Sequence, residues 1–175
     1  MKKIYILILF ITIGNTLISC YSNAETQIAT RYTIDEISNN PNFYWYKNEY
    51  NAYKCDMDIL DSIKTLFNEN VLKIIIYTSP SCGCSSASLN TSFPKLIKIL
   101  DSANLSNYEI YVVLKTDGNE QIVEHPYSYL FQIKTLPAIY LLKSEQTYYN
   151  LLLQVTTKEI SIEQALLDGI KFLDE

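Results

Sequence analysis

A chain of 175 residues with 48% hydrophobic side chains is enough for one domain with a real core and a short extension, and nothing in it calls for a second domain. Fourteen basic residues against nineteen acidic ones give a formal charge of −5, with Arg31 the only arginine and the lysines scattered. That excludes the basic stripe of a phosphate-backbone binder, and with it a nucleic-acid partner.

The chain starts MKKIYILILFITIGNTLISC: Lys2 and Lys3, then an apolar stretch too short for a confident membrane span, the pattern of an export signal. Its end, Leu17-Ile18-Ser19-Cys20, resembles the lipobox of bacterial lipoproteins, which implies cleavage after residue 19 and a diacylated Cys20 holding the protein on a membrane of the cell envelope. Cleavage there removes Lys2 and Lys3 and leaves 12 basic against 19 acidic side chains, an acidity suited to solubility. Residues 20–40 are polar and without sustained periodicity, so they are expected to be a flexible tether, with the folded domain occupying 41–175.

The domain opens on PNFYWYKNEYNAY, whose rings Phe43, Tyr44, Trp45, Tyr46, Tyr50 and Tyr53 are expected to cover one side of the core. Ile59, Leu60, Ile63, Leu66 and Phe67 follow at helical spacing within Asp58 to Phe67. VLKIIIY is short, β-branched and apolar but for Lys73, which predicts a strand buried on both faces in a parallel sheet. Leu89, Phe93, Leu96, Ile97 and Leu100 line a helix that starts at Ser85 or a little later, and Pro94 either kinks it or marks its true start. YEIYVVLK from Tyr108 is a second buried strand, completing a strand, helix, strand unit with a right-handed crossover. A short helix is expected around Ile122 to Phe131, then two strands, 138–142 and 148–155, joined as a hairpin. Ser161 with Gln164 forms a capping box before a last helix carrying Ile162, Ala165, Leu166, Ile170 and Leu173.

The chemistry centres on YTSPSCGCSSAS, residues 77–88, where Cys82 and Cys84 flank one glycine. Disulfides persist outside the cytosol, and with Cys20 lipidated the remaining Cys55, Cys82 and Cys84 permit one internal pair and one left-over thiol. A Cys82–Cys84 ring is small and strained, hence readily reduced, and so short a loop stabilises the fold little. Cys55 precedes the first long helix, so Cys55–Cys82 and Cys55–Cys84 pairings stay open too. Paired thiolates also suit soft ions, but one histidine and Met57 as the only internal methionine are a poor supply of further ligands, and no metal is assigned. His125, in VEHPY, is expected to be a solvated surface residue outside the site.

The element order, with a Cys turn after the first long strand and Thr135-Leu136-Pro137 opening the hairpin, resembles the thioredoxin-like family, and the aromatic lead-in with a Cys-Gly-x-Ser turn resembles thioredoxin-fold envelope lipoproteins over roughly residues 41–173. The resemblance implies an α/β fold with a central mixed sheet of about four strands flanked by helices. It implies Cys82 as attacking and Cys84 as resolving sulfur, Gly83 and Ser85 supporting the thiolate at a helix start, and a cis Pro137 that with Leu136 shapes a substrate groove. The chain departs from that pattern at Ser81, where the family commonly has tryptophan, at Ser85, where it has the second cysteine, and at Ile76, where it buries an acid. Thiol–disulfide exchange with envelope proteins follows as the implied function, with no organic cofactor because electrons pass through protein thiols. The alternative is a noncatalytic module of the same fold that binds a partner protein or a soft metal.

Overall fold

The computed structural model describes residues 26–69, 72–81, 91–114, 122–144 and 146–175. In chain order these form β1 (Thr26–Ile28), β2 (Thr30–Tyr32), α1 (Ile34–Asn39), a 3-10 turn (Pro41–Phe43), α2 (Tyr46–Ala52), α3 (Met57–Glu69), β3 (Leu72–Thr78), α4 (Ser92–Ser102), β4 (Tyr108–Val112), β5 (Ile122–Glu124), β6 (Ala138–Lys143), β7 (Thr147–Asn150), α5 (Leu151–Lys158) and α6 (Ile162–Asp174). The main sheet is mixed, in the order β2-β4-β3-β6-β7, and β1 pairs in parallel with β5 beside it.

β3 is central because every residue of IIIY has something to bury against. Ile74 and Ile76 face a layer of helices, with Leu60 and Ile63 of α3, Phe93 and Leu96 of α4 and Leu166 and Ile170 of α6 in the same core. Ile75 and Tyr77 face the other way, into a second cluster with Ala29, Tyr111, Phe131, Ile133 and Tyr140. Alternation along a strand sends neighbours to opposite faces, so a strand covered on both reads as an unbroken apolar run. β3 runs parallel to β4 and antiparallel to β6, the pairing expected of a strand, helix, strand unit followed by a hairpin.

The expected tether is not one beyond residue 25. Residues 26–40 carry β1, β2 and α1, and β2 adds a fifth strand by pairing antiparallel with β4. α1 starts on a capping box in Thr33-Ile34-Asp35-Glu36: the Glu36 carboxylate accepts from the Thr33 N–H at 2.7 Å, and the Glu36 N–H donates to Thr33 Oγ1 at 3.2 Å. One fully buried side chain, Ile37, fastens that helix to the core.

Two further expectations give way, one to a distant strand partner and one to a local helix cap. Residues 122–131 form the strand β5 and then a run of turns instead of a helix, because β5 pairs with β1. The second hairpin strand ends at Asn150 instead of running to residue 155: the Asn150 side chain accepts from the Leu153 N–H at 3.0 Å and starts α5, so Leu151, Leu152 and Leu153 are helical. Pro94 marks a true start, since it lies third in α4, where a missing N–H costs no helical hydrogen bond.

Glu109 ties three strands and a turn together at the end of the sheet where β3 begins. Its carboxylate meets Lys73 Nζ at 2.9 Å and Arg31 at 3.3 Å and accepts from the hydroxyls of Tyr127 at 2.8 Å and Tyr111 at 3.0 Å. Burial alone would raise its pKa; the hydrogen bonds from Lys73, Tyr127 and Tyr111 outweigh it and hold the carboxyl below its ordinary value.

Candidate functional site

Four strands bring their ends together where β3 finishes. The register sets Thr78 beside Val112 of β4, Val112 beside Thr30 of β2, and Tyr77 beside Ala138, the residue after Pro137. Past Thr78 the chain turns through Ser79, Pro80 and Ser81, and that turn is held from two sides. The Val113 N–H donates to the Thr78 carbonyl at 2.9 Å, and the Trp45 indole N–H donates to the Pro80 carbonyl at 3.1 Å. The Ser79 and Ser81 hydroxyls bond each other at 3.0 Å. Trp45 is itself fixed edge-on against Phe93 of α4, with ring centroids 6.3 Å apart, so the aromatic lead-in braces the turn that leads to the cysteines; Phe43, Trp45 and Tyr46 are in the core and Tyr50 and Tyr53 pack against it, whereas Tyr44, expected there too, is exposed.

Cys82, Gly83, Cys84 and Ser85 lie outside the described residues, as does Cys20. The described part of α4 begins at Ser92, so the expectation of a cysteine at a helix start rests on those undescribed positions.

Pro137 lies where it was sought. The Leu136–Pro137 peptide bond is cis, and Pro137 is buried just before β6. It lines a cavity of about 740 Å³ whose walls include Phe131, Tyr140, Tyr148, Leu153 and Lys134. Leu136 is half-buried and packs against both cores instead of lining that cavity.

Cys55 is drawn away from this end. Its thiol is free, its Sγ lies 3.7 Å from Ser102 Oγ at the far end of α4, and burial pushes the thiol pKa up. Ser81 is joined through Pro80 and Trp45 to Phe93 at the beginning of that helix. The eleven residues of α4 span about 15 Å, well beyond the Cα separation a disulfide accepts, which is at most about 7 Å. The three pairings open to the sequence involve Cys82 and Cys84, which lie outside the described residues.

His125 is a correction: it is half-buried, not a solvated surface residue. Its ring stacks on Phe131 at 5.2 Å between centroids, and Nδ1 bonds the Tyr77 hydroxyl at 2.8 Å and accepts from the Tyr127 N–H at 3.3 Å. An Nδ1 that accepts both bonds belongs to the neutral ring protonated on Nε2, and adding a proton removes the acceptor. Burial holds the His125 pKa below 6.5, partly offset by the Phe131 backbone. The sign is then fixed: with the folded value depressed, the unfolded chain takes up the proton first, so stability is complete above about pH 6.5 and is lost as pH falls below it. Glu109, lowered from 4.5, adds a further loss below about pH 4.5. Chemical denaturation at a series of pH values should show a first decline beginning near pH 6.5 that a His125→Phe variant lacks.

Thr78 was not singled out by its sequence, since one threonine at the end of an apolar run carries no signal. Its side chain is fully buried on the helix-facing side of β3, and Oγ1 has no hydrogen-bond partner. An orphan buried hydroxyl costs about 1–3 kcal/mol, so Thr78→Val should raise the unfolding free energy, read from urea denaturation, by an amount of that order.

Among the described residues no cluster of three or more His, Cys, Asp or Glu is placed to hold a metal ion, and no helix is long and apolar enough to cross a membrane. No protein-family model, curated protein or solved structure matches this chain.

Proposed function

We propose that this protein is a thioredoxin-like thiol–disulfide exchange protein, lipid-anchored through Cys20 in a bacterial cell envelope, with Cys82 and Cys84 as its redox pair. The observation that carries the reading is the end of the sheet described above. A turn that continues into Cys-Gly-Cys leaves the central buried strand β3 and is braced by Trp45 and Val113, and the residue after Pro137 is cross-strand partner to Tyr77. Attack on a partner's disulfide needs an accessible nucleophile, and the exposed Ser81 is the last described residue before Cys82.

The exchange runs in two balanced steps. The Cys82 thiolate attacks one sulfur of a protein disulfide, a Cys82–substrate bond forms, and the other substrate sulfur leaves as a thiolate that takes a proton from water. The Cys84 thiolate then attacks the Cys82 sulfur, closing the Cys82–Cys84 bond and expelling the second substrate thiolate. The substrate has gained two electrons and the turn has lost two, and an envelope dithiol returns them. Run backwards, the same steps place a disulfide in a reduced partner. The cavity beside Pro137, floored by Tyr140 and Tyr148, suits an apolar side chain next to the reacting cysteine of the substrate.

A Cys84→Ala variant tests the order of attack. Incubated with a peptide disulfide, it should accumulate one peptide covalently on Cys82, seen as an added mass that a reductant removes. A variant that collects no adduct, or collects it on Cys55, would remove Cys82 from the role of attacking sulfur.

A further inference from the structure

The folding of residues 26–40 shortens the leash. If Cys20 carries lipid, only six residue steps separate it from Thr26, the first residue of β1, and an extended chain of that length reaches about 20 Å. The direction of β2 decides which part of the domain the leash holds. β2 is antiparallel to β4 and its first residue, Thr30, pairs with Val112, the last of β4. The chain before Thr30 therefore enters the fold at the end of the sheet where β3 and β4 finish, the end that bears the Ser79–Ser81 turn and Pro137.

That same end presents apolar side chains to solvent. Ile28 is 71% exposed, and Leu114, two residues past the end of β4, is 65% exposed. Their chain neighbours Ala29 and Val113 are buried together in one core cluster, so each strand turns one residue inward and holds the next out. Tyr44, 68% exposed, adjoins Trp45, whose indole bonds Pro80 at this end. Exposed aliphatic residues scattered singly ask for no explanation. Ile28 and Leu114 each lie two residues beyond the Thr30–Val112 pair, one on each chain segment, so two exposed aliphatic residues mark the sheet end where a short lipid leash begins, a surface suited to the bilayer interface.

We propose that Ile28 and Leu114 seat on the lipid surface, so that the sheet end bearing the Ser79–Ser81 turn faces the membrane. The proposal rests on the Cys20 anchor of the preceding reading and extends it to the class of substrate. A site held within such a leash of the bilayer meets cysteines of proteins embedded in, or tethered to, the same membrane at a high effective concentration, and meets freely diffusing proteins without that advantage.

Brominated lipid separates the outcomes. Full-length protein isolated from membranes is bound to vesicles of dioleoylphosphatidylcholine containing brominated acyl chains, with a tryptophan introduced by Ile28→Trp or, as control, by Ser106→Trp at the opposite end of β4; the native Trp45 is buried in both. Both introduced sites are exposed and neither is needed for packing. The added fluorescence of Ile28→Trp should be quenched several-fold more strongly than that of Ser106→Trp, and Leu114→Ser should reduce the difference. Equal quenching at the two sites, with acyl chains found on Cys20 by mass spectrometry, would overturn the seating and leave the anchor standing. A mature protein without acyl chains on Cys20 would overturn the anchor and the inference resting on it.

Discussion

Replacing Cys82 by serine should reduce disulfide-exchange activity to the uncatalysed background, while Cys55→Ser leaves it unchanged. The contrast follows from where the chain puts its sulfurs. The turn that continues into Cys82 leaves the end of β3 beside Pro137, whereas Cys55 lies against Ser102 at the far end of α4 with its thiol pKa raised, and a thiol kept protonated is a poor nucleophile. Serine keeps the size of Cys82 but its hydroxyl does not ionise near neutral pH, so the attack that forms the mixed disulfide is lost rather than slowed. Reduction of insulin, followed as turbidity, measures it. Activity retained in Cys82→Ser and lost in Cys84→Ser would exchange the two roles; activity retained in both would end the redox reading.

The second large effect is structural. Trp45→Ala should destabilise the protein by about 3–5 kcal/mol, the usual cost of emptying a buried aromatic site. Trp45 lies among Phe43, Phe93 and the helix-facing core, and its indole supplies the bond to the Pro80 carbonyl. Trp45→Phe separates the two contributions, since it keeps most of the packing and removes the donor, for which about 1 kcal/mol is expected beyond the smaller loss of volume. Because Trp45 is the only tryptophan, urea unfolding followed by far-ultraviolet circular dichroism is the appropriate readout. The Trp45→Phe variant should also lose exchange activity out of proportion to its stability, because a Pro80 carbonyl without its donor no longer fixes the turn. Equal activity in Trp45→Phe and the parent protein would show that this brace is not needed for the chemistry.

What the sequence made legible was the part whose burial is continuous. β3 and β4 are mostly apolar, each interrupted by one charged residue, Lys73 and Glu109, α3 and α6 carry long periodic stripes, and the patterns alone locate each within a few residues. The misplaced elements are short, and two of them depend on a distant partner. β1 and β5 are three residues each and exist by pairing with one another across the chain, and neither contains enough residues to display a period of two. α5 was hidden inside an apolar run, where only Asn150 acting as a cap distinguishes a helix from a longer strand. Thr33-Ile34-Asp35-Glu36 is a capping box within a segment whose polar composition otherwise matches a tether.

The candidate site was legible in the same uneven way. Two cysteines one glycine apart, and a proline leading into a strand, are chemical signals visible without a fold. The supports beneath them were not visible. Nothing in the order of residues says that Trp45 reaches Pro80, 35 positions away, or that His125 reaches Tyr77 across 48, because those contacts are made by the sheet order and not by local spacing.

The most direct test of the account is the disulfide map of the mature protein, alkylated with and without reduction and read by mass spectrometry across a series of glutathione buffers. The account predicts a Cys82–Cys84 bond that opens and closes reversibly within that series, with Cys55 alkylated throughout. A bond from Cys55 to either of the other two that resists reduction, or three thiols that stay free in oxidising buffer, would contradict it.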